Sequence, residues 1–160
     1  MIEQTIKKLR ASRLFYCLAV FIKWYLSGVL MKALAVITAI LGFLGVALGA
    51  FGSHGLRGIV GPEQLSVWQT AVQYQMFHVL VLLSIVIAGS RSASSLLSIS
   101  GWLFAGGVVV FSGSLYALVL TGIKPLGMIT PFGGTLLLIG WLVLLFALIK
   151  VVAAQQATGE

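Results

Sequence analysis

In the segment TAVQYQMFH, Thr70, Tyr74 and His78 recur every four residues. On a helix that spacing puts them on one face, with Gln75 three residues before His78. A second polar set, Ser112, Ser114 and Tyr116, lies in FSGSLY. Thr130 before Pro131 reads as an N-cap followed by a proline at the first helical position. His54 and Arg57 sit in the glycine-rich stretch SHGLRGIVG. The chemistry these residues offer is hydrogen bonding and recognition. With three acidic residues in all, the chain has no carboxylate pair for acid–base hydrolysis. Two histidines and the lone Cys17 make neither a convincing zinc site nor a disulfide. No P-loop, GxSxG or HExxH pattern occurs. The expectation is a non-enzyme with no catalytic residues, no metal and no cofactor.

The elements that must position these residues follow from composition. Of the 160 residues, 60% are hydrophobic and 8% charged, where soluble domains have roughly 45–50% and about 25%. That excludes a soluble globular domain and a disordered chain. The short alternating segments of an outer-membrane barrel are missing as well. The net charge of +7 does not point to nucleic acid. Its one cluster, Lys7, Lys8, Arg10 and Arg13, precedes an apolar stretch and reads as the cytosolic flank of a membrane segment.

Apolar runs predict spans over about 33–52, 71–89, 97–122 and 132–152. The fold class is therefore an all-α membrane protein, a four-transmembrane-helix bundle. Gly42, Gly45, Gly49 and Gly52 form a stripe without side chains on the first span. It suits close helix packing or, alternatively, a groove for a lipid tail. Gly106, Gly113, Gly133 and Gly134 are read as packing positions on the third and fourth spans. Before the second span, Pro62 and Glu63 suit a helix start. Leu65, Trp68 and Val72 then give an amphipathic, interfacial segment with Trp68 at headgroup depth.

Lys and Arg counting puts Lys32, Arg91 and Lys150 inside and Arg57 and Lys124 outside, with both termini cytosolic. Residues 1–30 form an extra basic, apolar segment whose apolar run, broken by Lys23, is short for a crossing. It is read either as an interfacial helix or as an extension ahead of a natural start at Met31. Residues 31–154 are then the four-helix domain and 155–160 a polar tail. In this topology the distinctive polar residues fall in the outer half of the bilayer, and the inner half is Leu, Val, Ile and Ala. His78 enters in the first turns of the second span.

The motifs GAFGSHGL (49–56), TAVQYQMFH (70–78), FSGSLY (111–116) and ITPFGG (129–134) occur in this order. Together they resemble the domain-of-unknown-function 423 family, small bacterial inner-membrane proteins of the UPF type with a eukaryotic relative, transmembrane protein 256. The resemblance covers about residues 31–152. It implies a four-helix multi-pass protein of the bacterial inner membrane and no established activity.

Two functions compete. In the first, the polar residues glue helices together in a non-enzymatic membrane-complex or structural component, with the bilayer and a homo-oligomer or complex partner as its surroundings. In the second, His54, Arg57, Tyr74, Gln75, His78, Ser112, Ser114, Tyr116 and Thr130 line a polar pocket in the outer leaflet that takes a lipid or a small anion.

Overall fold

A computed structural model describes residues 28–91 and 94–158, all of them in helices, turns or short connections. The 1–30 extension lies almost entirely outside them. Four helices are long and apolar enough to cross a membrane. Helix α1, Gly28–Gly55, winds its last turn, Phe51–Gly55, as a π-helix. Helices α2 and α3 are Pro62–Arg91 and Ser95–Thr121. A 3-10 turn, Lys124–Met128, precedes α4, Thr130–Thr158. The tail read as starting at residue 155 thus begins as the last turn of α4.

The ends of these helices follow from the local sequence. Pro62 opens α2, and the Gly61 N–H donates to Gln64 Oε1 at 3.2 Å, the reach-back half of a capping box. Ser94 caps α3, accepting from the Leu97 N–H. Gly122 ends α3 at φ +70°, a left-handed conformation that side chains disfavour.

Helix α2 is one unbroken 30-residue rod rather than an interfacial piece followed by a span. This moves its polar residues. His78 lies near the middle of the helix, ~24 Å from Pro62 along the axis, and not in the first turns of a crossing. Trp68 is not an interfacial anchor. It is 1% exposed, and its indole N–H donates to the Leu48 carbonyl on α1 at 2.9 Å.

The polar content is also wider than an apolar inner half allows. Thr38, Ser98 and Ser100 are buried toward that end. Thr38 and Ser100 donate to carbonyls of their own helices, Leu34 and Leu97, so they carry no interhelical tie. Nearby, the Trp102 indole nitrogen is buried without an acceptor among the described residues.

Helix α3 is the centre of the packing: α2 lies along one side and α4 along another. Leu34, Leu82, Phe104, Val108, Leu137 and Leu144 meet in one apolar cluster. A second cluster, Leu56, Trp68, Ala71, Tyr116 and Val119, fills the end that carries the α1–α2 and α3–α4 connections. That end is called the loop end below.

The glycine stripe of α1 faces α2, whose Val79, Met76, Val72 and Trp68 side chains fill it. Gly133 admits the backbone of Phe111 on α3. Gly106 and Gly113, read as packing positions, have nothing among the described residues within 4 Å of where a Cβ would stand. Besides Gly133, the glycines of α3 and α4 that closely admit a neighbour are Gly101, against Leu34, Gly107, against Leu137, and Gly140, against Phe104. Gly106→Ala and Gly113→Ala are therefore expected to be neutral or to stabilise by up to about 1 kcal/mol, through helix propensity alone. Unfolding in mixed detergent micelles checks this; a loss above that size would mean those faces are covered.

Candidate functional site

The candidate polar residues divide into two groups, and the division follows from where each falls around its helix. The first group ties consecutive helices, from the loop end to the middle of the bundle. The Gln75 carboxamide donates to the Leu41 carbonyl on α1 at 2.7 Å and accepts from the Tyr116 hydroxyl on α3 at 2.9 Å. Ser112 Oγ donates to the Ala71 carbonyl at 2.8 Å, again joining α3 to α2. Ser114 Oγ donates to the Phe111 carbonyl at 2.9 Å, so the Thr130 hydroxyl, 2.8 Å away, donates to Ser114 and links α4 to α3.

Two of the α1–α2 ties use the same device. A helical carbonyl accepts from the N–H four residues on and has a second lone pair. Leu41 and Leu48 each have a glycine at that later position, Gly45 and Gly52. A Cβ on Gly45 would stand 3.4 Å from Gln75 Nε2 and 2.5 Å from Met76 Sδ. One on Gly52 would run into the Trp68 indole. The missing methyl groups let side chains of α2 reach the spare lone pairs.

The second group faces a cleft of about 630 Å³ between α2 and α4, with α3 as its floor. Gln73, Tyr74, Phe77 and His78 form one wall. Pro131, Gly134, Thr135, Leu137, Leu138 and Trp141 form the other, and Phe111 lies between them. The size falls within the roughly 300–1,000 Å³ of small-molecule sites. From Pro131 at the loop end to Trp141 the cleft runs ~15 Å, toward the middle of the helices.

At its deep end His78 is held among rings. Its centroid is 5.4 Å from Phe77, 5.6 Å from Phe104 and 6.3 Å from Trp141. Its Nδ1 lies 2.8 Å from the Tyr74 carbonyl. Tyr74 stacks on Phe111 at 4.5 Å nearer the mouth.

Of the residues proposed for one pocket, the cleft brings together Tyr74 and His78. Gln75, Ser112, Ser114, Tyr116 and Thr130 belong to the ties. His54 and Arg57 are exposed at the α1–α2 connection and do not line the cleft. Neither does Lys124, and among the described residues none that lines the cleft is charged. Sequence reasoning missed Phe77, Phe111, Leu138 and Trp141. The available signal was aromatic: Phe77 adjoins His78, and Phe111 opens FSGSLY. Nothing in the sequence pairs α2 with α4 across a gap. Among the described residues no group of three or more His, Cys, Asp or Glu could hold a metal.

A family model described as "Protein of unknown function (DUF423)" matches residues 48–134, which include the α2 wall of the cleft and all of α3. The UPF0382 membrane protein SAB0533 of Staphylococcus aureus (strain bovine RF122 / ET3-1) is 49% identical over 121 residues, 75% of this chain and 98% of that protein. The UPF0382 membrane protein YwdK of Bacillus subtilis (strain 168) is 44% identical over 121 residues, with the same coverage of both chains. None of these names is enzymatic. No solved structure matches. The four membrane-length helices agree with what those relatives are called, and by these matches the chain belongs to the DUF423 family of membrane proteins.

Proposed function

We propose that this membrane protein is a non-enzymatic binder that draws an uncharged, largely apolar molecule from the lipid phase into the cleft between α2 and α4. The observation that carries this reading is the imidazole of His78 on the surface of an aromatic cleft near the middle of its helix. A polar side chain at membrane depth is costly, and it normally faces a partner or a cavity. The ties of Gln75, Ser112, Ser114 and Tyr116 already account for close helix contact. Among the described residues His78 bonds only within its own helix, so helix association does not explain it. A small anion fits less well, because Arg57 and Lys124 are absent from the walls. Lys and Arg counting supports a bacterial inner-membrane setting with the loop end outward.

The test uses the full chain in lipid nanodiscs and a long-chain apolar diazirine photoprobe, with crosslinks mapped by mass spectrometry. Crosslinks concentrated on Phe77 and Leu138, and lost in Thr135→Trp, are the expected result. Thr135 is exposed on the cleft wall and, among the described residues, bonds only to the Pro131 carbonyl of its own helix, so filling the cleft there spares the interhelical ties. Labelling equally strong on Phe43 and Val46, exposed apolar residues of α1, would mean the probe reports bulk lipid. Protection of the cleft by a copurified protein helix would favour the membrane-complex reading.

A further inference from the structure

We infer that the cleft selects a ligand carrying a hydrogen-bond donor, a phenol or an alcohol, over an equally shaped ketone or ether. This rests on the reading of the cleft as a ligand site and adds the ligand's chemical class. His78 Nδ1 lies 2.8 Å from the Tyr74 carbonyl oxygen. A carbonyl can only accept, so the proton of that bond is on Nδ1. The acidic residues are Glu3, Glu63 and Glu160. Glu63, the one among the described residues, sits in the first turn of α2, ~22 Å along the axis from His78, too far to hold an imidazolium there. A buried charge without a partner is costly, and the neutral ring carries one N–H.

Nε2 is thereby left as a bare lone pair. It has no donor among the described residues, and it is not one of the sealed polar atoms. The 5% of His78 that is exposed opens on the cleft. Hydrocarbon offers this acceptor nothing. A ligand hydroxyl answers it, while a ketone or ether sets lone pair against lone pair. The rings of Phe77, Phe111 and Trp141 favour an apolar or aromatic body around that hydroxyl.

The experiment compares 4-dodecylphenol with 4-dodecylanisole, the same ring and chain with the hydroxyl capped by a methyl group. The full chain is labelled with 15N-histidine in nanodiscs, where its two histidines, His54 and His78, are resolved by comparison with His54→Gln. The phenol should bind about tenfold more tightly. It alone should shift the Nε2 resonance of His78, with that of His54 unmoved. In His78→Phe, which keeps an aromatic ring in place, the two affinities should come within about twofold. Equal binding of phenol and anisole to the unaltered chain overturns the inference and leaves the cleft reading standing. So does a phenol preference that survives in His78→Phe. If neither probe binds, the cleft reading fails and the inference fails with it.

Discussion

Gly133→Ala is expected to destabilise the protein by on the order of 3 kcal/mol, while Gly134→Ala, one residue on, is neutral or gains up to about 1 kcal/mol. A Cβ on Gly133 would collide with the backbone nitrogen of Phe111 and stand 2.7 Å from its Cα. Backbone in the middle of a helix cannot swing aside as a side-chain tip can. Helices α3 and α4 must therefore separate, and interiors packed at crystal density transmit that shift to their neighbours. The Ser114–Thr130 bond and the seat of Leu137 over Gly107 lie within two turns of the clash. At Gly134 the same methyl would meet Phe111 Cδ2 at 3.8 Å, an ordinary contact. Reversible unfolding in mixed micelles measures both. The comparison is internal, because helix propensity is the same at the two sites and only the neighbour differs. Equal effects would mean that α4 does not cross α3 at Gly133.

The contrast between Gly133 and Gly106 shows what the sequence makes legible. Four crossings were readable because lipid demands about 20 apolar residues per span. The α1 stripe was readable as a contact face because its glycines keep a helical period. Gly106 and Gly113 share residue type with Gly133 but not a partner, and nothing in the sequence says which face of α3 each occupies. The usual inside-outside signal is lost as well. In water the buried face of a helix is its apolar one, but here lipid is as apolar as any core. Along α2 the buried positions are Trp68, Ala71, Gln75, His78, Val79, Leu82 and Ile85, which recur at helical spacing along one face, and they include the helix's two buried polar residues. Polarity marks the inside, which is why the candidate residues could be found. Their division into ties and cleft could not, because Tyr74 and Gln75 are adjacent in sequence yet ~100° apart around the helix. One turns toward the gap beside α4 and the other toward Leu41 and Tyr116. Topology brings His54 and Arg57 to the same end of the bundle as the other candidates, but both stand exposed there and neither lines the cleft.

Gln75→Leu should cost about 2 kcal/mol, and more of that loss should come from the atom left behind than from the bonds removed. Interhelical hydrogen bonds in membranes average roughly 0.6 kcal/mol and reach about 1.7. The Leu41 carbonyl keeps its helical partner when the carboxamide goes. The Tyr116 hydroxyl does not: it is buried beside Trp68, 4.6 Å between ring centroids, and its acceptor is Gln75 Oε1. A buried donor without a partner costs about 1–3 kcal/mol. Removing the orphan as well should restore part of the loss. Tyr116→Phe alone is expected to cost about 1 kcal/mol, and Gln75→Leu with Tyr116→Phe no more than Gln75→Leu alone, a coupling of about 1 kcal/mol between the two sites. Ser112→Ala, whose bond to the Ala71 carbonyl shares no atom with this pair, serves as the control and should be additive with either within about 0.5 kcal/mol. If Gln75→Leu and Tyr116→Phe are themselves additive, Gln75 does not join α1 to α3. The same measurements bear on the cleft: the ties lie on the α1 and α3 side of α2, so Gln75→Leu should loosen the bundle while a chain that is still folded continues to label at Phe77 and Leu138. Loss of stability without loss of labelling would show that scaffold and site are separable, as expected where one polar residue on α2 holds the helices and another, three residues on, faces the gap.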